Sequence, residues 1–311
     1  MSDRVLRIAT RRSPLALWQA EHVAEQVKSL HPGQAVRLVP IKTQGDKILG
    51  VPLAKIGGKG LFIKELEQAL LDEVADLAVH SMKDVPAELP DGLSLAVMLE
   101  SADPRDALVR RGTGGWAGLP AGARIGTSSL RRQCQLRARR PDLNFDFLRG
   151  NVGTRLGKLD SGVFDAIVLA AAGLDRLGLA DRISERLDPS VSLPAVGQGV
   201  IGIECRTDDD ALHALLAPLD HTPSRQRVTA ERALNARLGG GCQVPIAGHA
   251  RVVGDILELE ALVGVRGGDE PVRARSSGPV SAAEQIGREV AETLLQCGAD
   301  RLLREWELHP L

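Results

Sequence analysis

Tyrosine is missing from the 311 residues, and four phenylalanines and three tryptophans are the only aromatic side chains besides histidine. So few rings leave little on which bases can stack, which argues against a single-strand or RNA binder. Net charge is nearly absent too. The 39 basic and 40 acidic residues give a formal −1, so no global field draws the chain to nucleic acid or an anionic membrane, and any anion site is local. The four cysteines, Cys134, Cys205, Cys242 and Cys297, form no C-x-x-C pair and have no histidine at ligand spacing, which speaks against zinc. No stretch approaches about 18 uncharged apolar residues. The opening "MSDRVLRIATRRSP" is charged throughout and predicts no signal peptide, so a soluble cytoplasmic protein with reduced thiols is expected.

What is present is a chain long enough for two or three cores. Short apolar, β-branched runs at residues 5–9, 35–41, 76–80, 93–99, 107–110, 124–126, 143–148, 166–169 and 200–204 alternate with helical runs. That texture predicts α/β layers with largely parallel strands. "ESADPRD" near residue 103 and "SLPAVGQGV" near 196 look like crossings between domains. Beyond residue 218 the pattern changes to a long helix at 224–238, a glycine loop, alternating strands such as "ILELEALVGV" and a last helix at 281–296. It reads as a small α+β domain with an antiparallel sheet. The expected domains are residues 1–99 with 200–217, then 100–199, then 218–311.

"RIATRRSPLALWQ" and "RIGTSSLRRQCQL" echo each other as strand, Thr, polar turn with Ser and Arg, then helix. Such a turn aims free backbone N–H groups and a helix dipole past the strand ends. "FLRGNVGTRLGKL" adds Arg149 and Arg155 at a third corner. One capped turn is ordinary; three that all carry arginine suggest a carboxylate or phosphate site, since planar guanidinium grips both oxygens of a carboxylate. Five of the eight lysines, Lys42, Lys47, Lys55, Lys59 and Lys64, fall in or beside "KTQGDKILGVPLAKIGGKGLFIK", either a solvated loop or a mobile lid. "HSMKDVP" offers Asp84, which either pairs with a neighbouring cation or faces a positively lined cleft, and His80, which alone reads as a core histidine. The loop "RLGGGCQVP" holds Cys242. Metal ligand, nucleophile and attachment point are all open there, although His249 offers no evident third member of a triad. Cys134, Cys205 and Cys297 are expected to be buried.

Taken together, "HSMKDVP", "GTSSLRRQ", "LRGNVGTRLGKL", "LPAVGQG" and "GGCQVPI" resemble the porphobilinogen deaminase, or hydroxymethylbilane synthase, family over about residues 4 to 300. The resemblance implies two periplasmic-binding-protein-like doubly wound domains with a central cleft, plus a small C-terminal α+β domain. It implies a transferase that joins four porphobilinogen units, with loss of ammonia, onto a dipyrromethane cofactor and releases the linear tetrapyrrole by hydrolysis. By match to the family, Cys242 carries the cofactor in a thioether. Ser13, Lys83, Thr127, Ser128, Ser129, Arg131 and Arg132 meet its carboxylates. Arg11, Arg149 and Arg155 hold the incoming ring, Gln198 lines the cleft, and Lys55 and Lys59 belong to the lid. Asp84 is the catalytic residue, placed by the likeness to hydrogen-bond pyrrole N–H groups and stabilise the azafulvenium left when ammonia departs. No metal, nucleic acid or membrane partner is implied, and a monomer is expected. Two departures, Gly239 lengthening the glycine run and Arg12 beside Arg11, bear on loop rigidity and affinity. The rivals are a two-lobed binding protein that catalyses nothing and a thiol acyltransferase acting through Cys242.

Overall fold

The computed structural model describes residues 5–47, 60–241 and 244–308. It divides into two units: among the described residues one takes 5–47, 60–102 and 200–225, the other 103–199, 226–241 and 244–308.

In the first unit β1 (Leu6–Arg11), β2 (Val36–Ile41), β3 (Leu77–Ser81), β4 (Leu93–Met98) and β10 (Ile201–Arg206), numbered along the chain, form one sheet ordered β2-β1-β3-β10-β4. β1 is parallel to β2 and β3, whereas β10 runs antiparallel to β3 and β4. The central strands are apolar on both faces because both are covered. Leu6, Ile8, Leu77, Val79 and Ile203 pack with Ala20, Val23 and Val27 of α1 (Pro14–Leu30). On the other face Ala9 and Ala78 meet Leu66 and Leu70 of α3 (Lys64–Leu71), which follows the single turn α2 (Gln44–Lys47). α1 starts where the sequence predicts: Ser13 caps it, accepting from the Ala16 amide at 3.3 Å, and Pro14 opens the first turn.

The second unit holds two sheets. β5 (Asp106–Arg110), β6 (Arg124–Gly126), β7 (Asn144–Asp146), β8 (Ala166–Ala170) and β9 (Glu185–Arg186) run in the order β7-β6-β8-β5-β9. Here too a parallel trio, β7-β6-β8, is continued by an antiparallel strand, β5. The echo in the sequence is this shared plan. β1 and β6 each lie mid-trio and each feeds a serine-capped helix, α1 by Ser13 and α4 (Leu130–Arg139) by Ser129. α5 (Val152–Asp160) and α6 (Ala171–Arg176) complete this layer.

β11 (Ile246–Val253), β12 (Ile256–Val263) and β13 (Val272–Pro279) form an antiparallel meander. Its inner residues Leu257, Leu259, Ala261 and Val263 pack with Ala230 and Leu234 of α8 (Thr222–Arg237), and with Ile286, Val290 and Leu294 of α9 (Ala283–Gln296). The first unit also holds α7 (Asp210–Leu216).

Three details differ from the sequence reading. Each parallel trio is continued by an antiparallel strand, which apolar runs alone do not reveal. A further helix, α10 (Ala299–Leu308), follows Gly298 at φ +92°, and its Leu302 and Leu303 join the core. Cys134 and Cys205 are buried, but Cys297 is exposed, because it caps the C-terminal end of α9 after the last inward-facing turn.

Candidate active site

The first cluster lies at the carboxyl ends of β1 and β3. Arg11 ends β1, and its guanidinium is ion-paired with Asp46 and lies over the Phe62 ring at 4.2 Å from the centroid. Burial pushes the Asp46 carboxyl up, but hydrogen bonds and charge from Arg11, with the Thr43 hydroxyl and amide, outweigh it and hold the group below its ordinary value. Ser81 accepts from the buried Gln19 side chain at 2.9 Å. The chain then turns through Met82–Asp84, leaving Met82 buried, Lys83 exposed and Asp84 half-buried. That turn stacks closely on β10, where Gly202 lies opposite His80; a Cβ there would stand 2.2 Å from the Met82 sulfur. Among the described residues the Asp84 carboxylate has neither a hydrogen-bond nor an ion-pair partner.

The second cluster belongs to the other unit and is built around a residue the sequence did not single out. Asp106, fully buried at the start of β5, accepts from Arg131 Nη1 and Nη2 at 2.8 and 3.1 Å and from Arg132 Nε at 2.9 Å. Ser192 Oγ and Gln198 Nε2 add donors at 2.7 and 3.0 Å. Burial raises an isolated carboxylate, but the charges of Arg131 and Arg132 and their hydrogen bonds hold Asp106 far below the usual range. Arg131 also reaches the Leu193 carbonyl at 2.6 Å, and Arg132 the Val168 carbonyl at 3.0 Å.

The turn before α4 is equally ordered. Ser129 caps the helix through the Arg132 amide at 3.4 Å, Thr127 Oγ accepts from the Ser129 amide at 3.3 Å, and Ser128 donates to the Leu148 carbonyl. At the neighbouring corner Arg149 is buried, Gly150 takes φ +118°, and Asn151 caps α5 through the Thr154 amide at 2.8 Å. Only glycine adopts that backbone geometry without strain, and it lets Arg155 Nε reach the Gly150 carbonyl at 2.8 Å. Arg176, also missed in the sequence, donates to the Gly199 carbonyl at 2.7 Å, and burial lowers its guanidinium to about 10.

The structure thus gathers Thr127, Ser128, Ser129, Arg131, Arg132 and Gln198 in one unit, with Arg149 and Arg155 at a corner of their own. Ser13, Arg11, Lys83 and Asp84 belong to the other unit. Cys242, Lys55 and Lys59 lie outside the described residues.

Two family models match the chain: the porphobilinogen deaminase, dipyromethane cofactor binding domain over residues 6–214 and the porphobilinogen deaminase, C-terminal domain over residues 225–296. The chain belongs to the porphobilinogen deaminase family. It is a hydroxymethylbilane synthase, which polymerises porphobilinogen with loss of ammonia and uses a dipyrromethane cofactor. Similar solved structures include the periplasmic aliphatic sulphonate binding protein of Escherichia coli, 14% identical, covering 76% of this chain and 70% of that one at a TM-score of 0.41. A TRAP periplasmic solute binding protein from Desulfovibrio salexigens is 14% identical, covering 70% and 73% at 0.44.

The residues present fit the deaminase cofactor. Dipyrromethane offers carboxylates, which need cationic donors, and pyrrole N–H groups, which need acceptors. Gln198 Oε1 is buried without a partner, and the Nε–H of Arg131 has no acceptor among the described residues. An orphaned acceptor and an uncommitted cationic donor in one cluster are complementary to such a group.

Proposed function

We propose that the enzyme builds its product on a dipyrromethane held by Cys242, with the Asp84 carboxylate serving each addition. When bound, the cofactor supplies the nucleophilic pyrrole carbon to which substrate is joined. In this reading Ser13, Lys83, Thr127, Ser128, Ser129, Arg131 and Arg132 hold its carboxylates. Arg11, Arg149 and Arg155 orient the incoming ring, Gln198 accepts a pyrrole N–H, and Lys55 and Lys59 close over the ligand. Support for Cys242 is its glycine-rich sequence setting and the state of two other thiols: burial pushes Cys134 and Cys205 up to about 12, leaving them neutral and poorly nucleophilic.

The observation that carries the assignment of Asp84 is its contrast with Asp106. Asp106 is saturated with donors, whereas Asp84 has no partner among the described residues. A carboxylate in that condition can accept from substrate N–H groups and stabilise the positive charge left on the substrate when ammonia departs. At about 4 Å and an effective dielectric near 20, one such charge pair contributes on the order of 4 kcal/mol, nearly a thousandfold in rate. The same carboxylate can relay a proton to the departing amine and take up the one released when the newly joined pyrrole ring rearomatises.

We also read the protein as a cytoplasmic monomer of three domains acting on a small molecule without nucleic acid or metal. No described helix is long and apolar enough to cross a membrane.

Intact-mass measurement on protein from cells making porphobilinogen tests the attachment. The wild type is expected to be heavier than its sequence by one dipyrromethane, Cys242→Ser to match its sequence, and Asp84→Asn to keep the added mass while losing roughly a thousandfold in turnover. A fully active wild type without added mass refutes the tether. Near-normal turnover in Asp84→Asn removes the catalytic assignment.

A further inference from the structure

Five acidic side chains are buried among the described residues: Glu67, Asp76, Asp106, Glu204 and Glu231. Three of them have a donor on each oxygen. Asp76 takes Arg7 on both, Asp106 is surrounded as described above, and Glu231 accepts from the amides of Gly197 at 2.6 Å and Ala250 at 2.8 Å. The other two are different. Glu204 accepts from His80 Nε2 at 2.8 Å through Oε2, while its Oε1 and the Oε1 of Glu67 are buried with no hydrogen-bond partner.

These groups meet on one face of the first sheet. β3 and β10 pair with Gly202 opposite His80 and Glu204 opposite Ala78, so His80 and Glu204 are diagonal neighbours. Ala78 packs under Leu66 and Leu70 of α3, the helix that carries Glu67. Burial first, then the charge of Glu204, pushes the Glu67 carboxyl up, against weaker opposition from His80 and Lys64. The other charged groups nearby are committed elsewhere. Arg206 of β10 donates to the carbonyls of Leu70 and Ala75, Arg7 and Arg11 of β1 pair with Asp76 and Asp46, and Glu65 of α3 accepts from the Gln44 amide. β4 brings no charge to this helix. A buried carboxylate without a donor or counterion takes up a proton instead.

We infer that Glu67 is a proton-holding positioning residue, whose neutral carboxyl, with Glu204 and His80, fastens α3 to the strand that leads into Met82, Lys83 and Asp84. The positioning role rests on the reading of Asp84 given above; the proton does not. Raising the pH removes the proton and sets a second negative charge beside Glu204, loosening α3 from β3. A folded-state value above the ordinary one means that this stabilisation is complete below the ordinary glutamate range and is lost as pH rises through the folded value.

Infrared spectroscopy of the wild-type enzyme reads the proton directly. A protonated-carboxyl carbonyl band that persists above the ordinary glutamate range is expected, fading as pH rises further and missing from Glu67→Gln. A folded wild type that loses every such band within the ordinary glutamate range, or a band unchanged in Glu67→Gln, overturns the proton assignment. For the positioning role, the alkaline fall of kcat in the wild type is expected to be at least roughly threefold steeper than in Glu67→Gln, with KM alike in both. Identical pH profiles overturn it. Asp84→Asn keeps the infrared band whatever it does to turnover, so the two readings fail separately.

Discussion

At Asp106 the side chains of Arg131, Arg132, Ser192 and Gln198 converge on two oxygens. One negative charge between two guanidinium groups leaves a local excess of one positive charge, held in a fixed pose. Arginines held so would meet the carboxylate ligand proposed above without the ordering entropy of free side chains. Asp106→Asn keeps the shape and removes the charge. It is expected to cost about 3–5 kcal/mol of stability, read as a lower urea midpoint, because the two arginines stay buried without their counterion. The arginines were legible in the sequence because they stand just behind a strand and a capped turn. Asp106 was not, since "DPRD" reads as a turn, and only folding brings it to arginines 25 and 26 residues away. Asp46 escaped for the same reason, standing 35 residues from Arg11.

Between elements, the decisive contact is the turn after β3 against β10. β10 enters the first sheet antiparallel, between β3 and β4, and its Gly202 makes room for Met82. Gly202→Val is expected to cost about 1–3 kcal/mol by overpacking and to lower kcat, because the displaced turn carries Asp84; thermal unfolding and steady-state kinetics check it together. Strand positions were largely readable, since runs of β-branched residues mark buried strands. Direction and order were not, because an apolar run is the same whichever way its hydrogen bonds point. α10 was passed over because Gly298 looks like an ending, although the amphipathic Leu302, Leu303 and Trp306 stripe that follows is helical.

For the whole molecule, stability is squeezed by two opposed sets of acids. Asp46, Asp103, Asp106 and Glu231 are held below their ordinary values. The stability they contribute is complete above the ordinary carboxylate range and drains away as pH falls below about 4, where the unfolded chain takes up protons first. Glu67 acts in the opposite sense, losing stability as pH rises. Stability is therefore expected to fall steeply below about pH 4, and Glu67→Gln to lose less stability than the wild type as pH rises above the ordinary glutamate range. Unfolding followed by fluorescence of the buried Trp116 and Trp306 measures both limbs. An equal alkaline loss in the wild type and Glu67→Gln contradicts this ordering.

By itself the sequence determined the family, the capped helices that follow β1 and β6, and the arginine-bearing corners, because periodicity, caps and contiguous motifs are local signals carried by neighbouring residues. Tertiary structure alone decided which charges stand beside which. Arg11 goes to Asp46, Arg131 and Arg132 go to Asp106, and Glu204 takes a histidine 124 positions earlier in the chain. Pairing and desolvation depend on distance in space, which folding sets and sequence spacing does not.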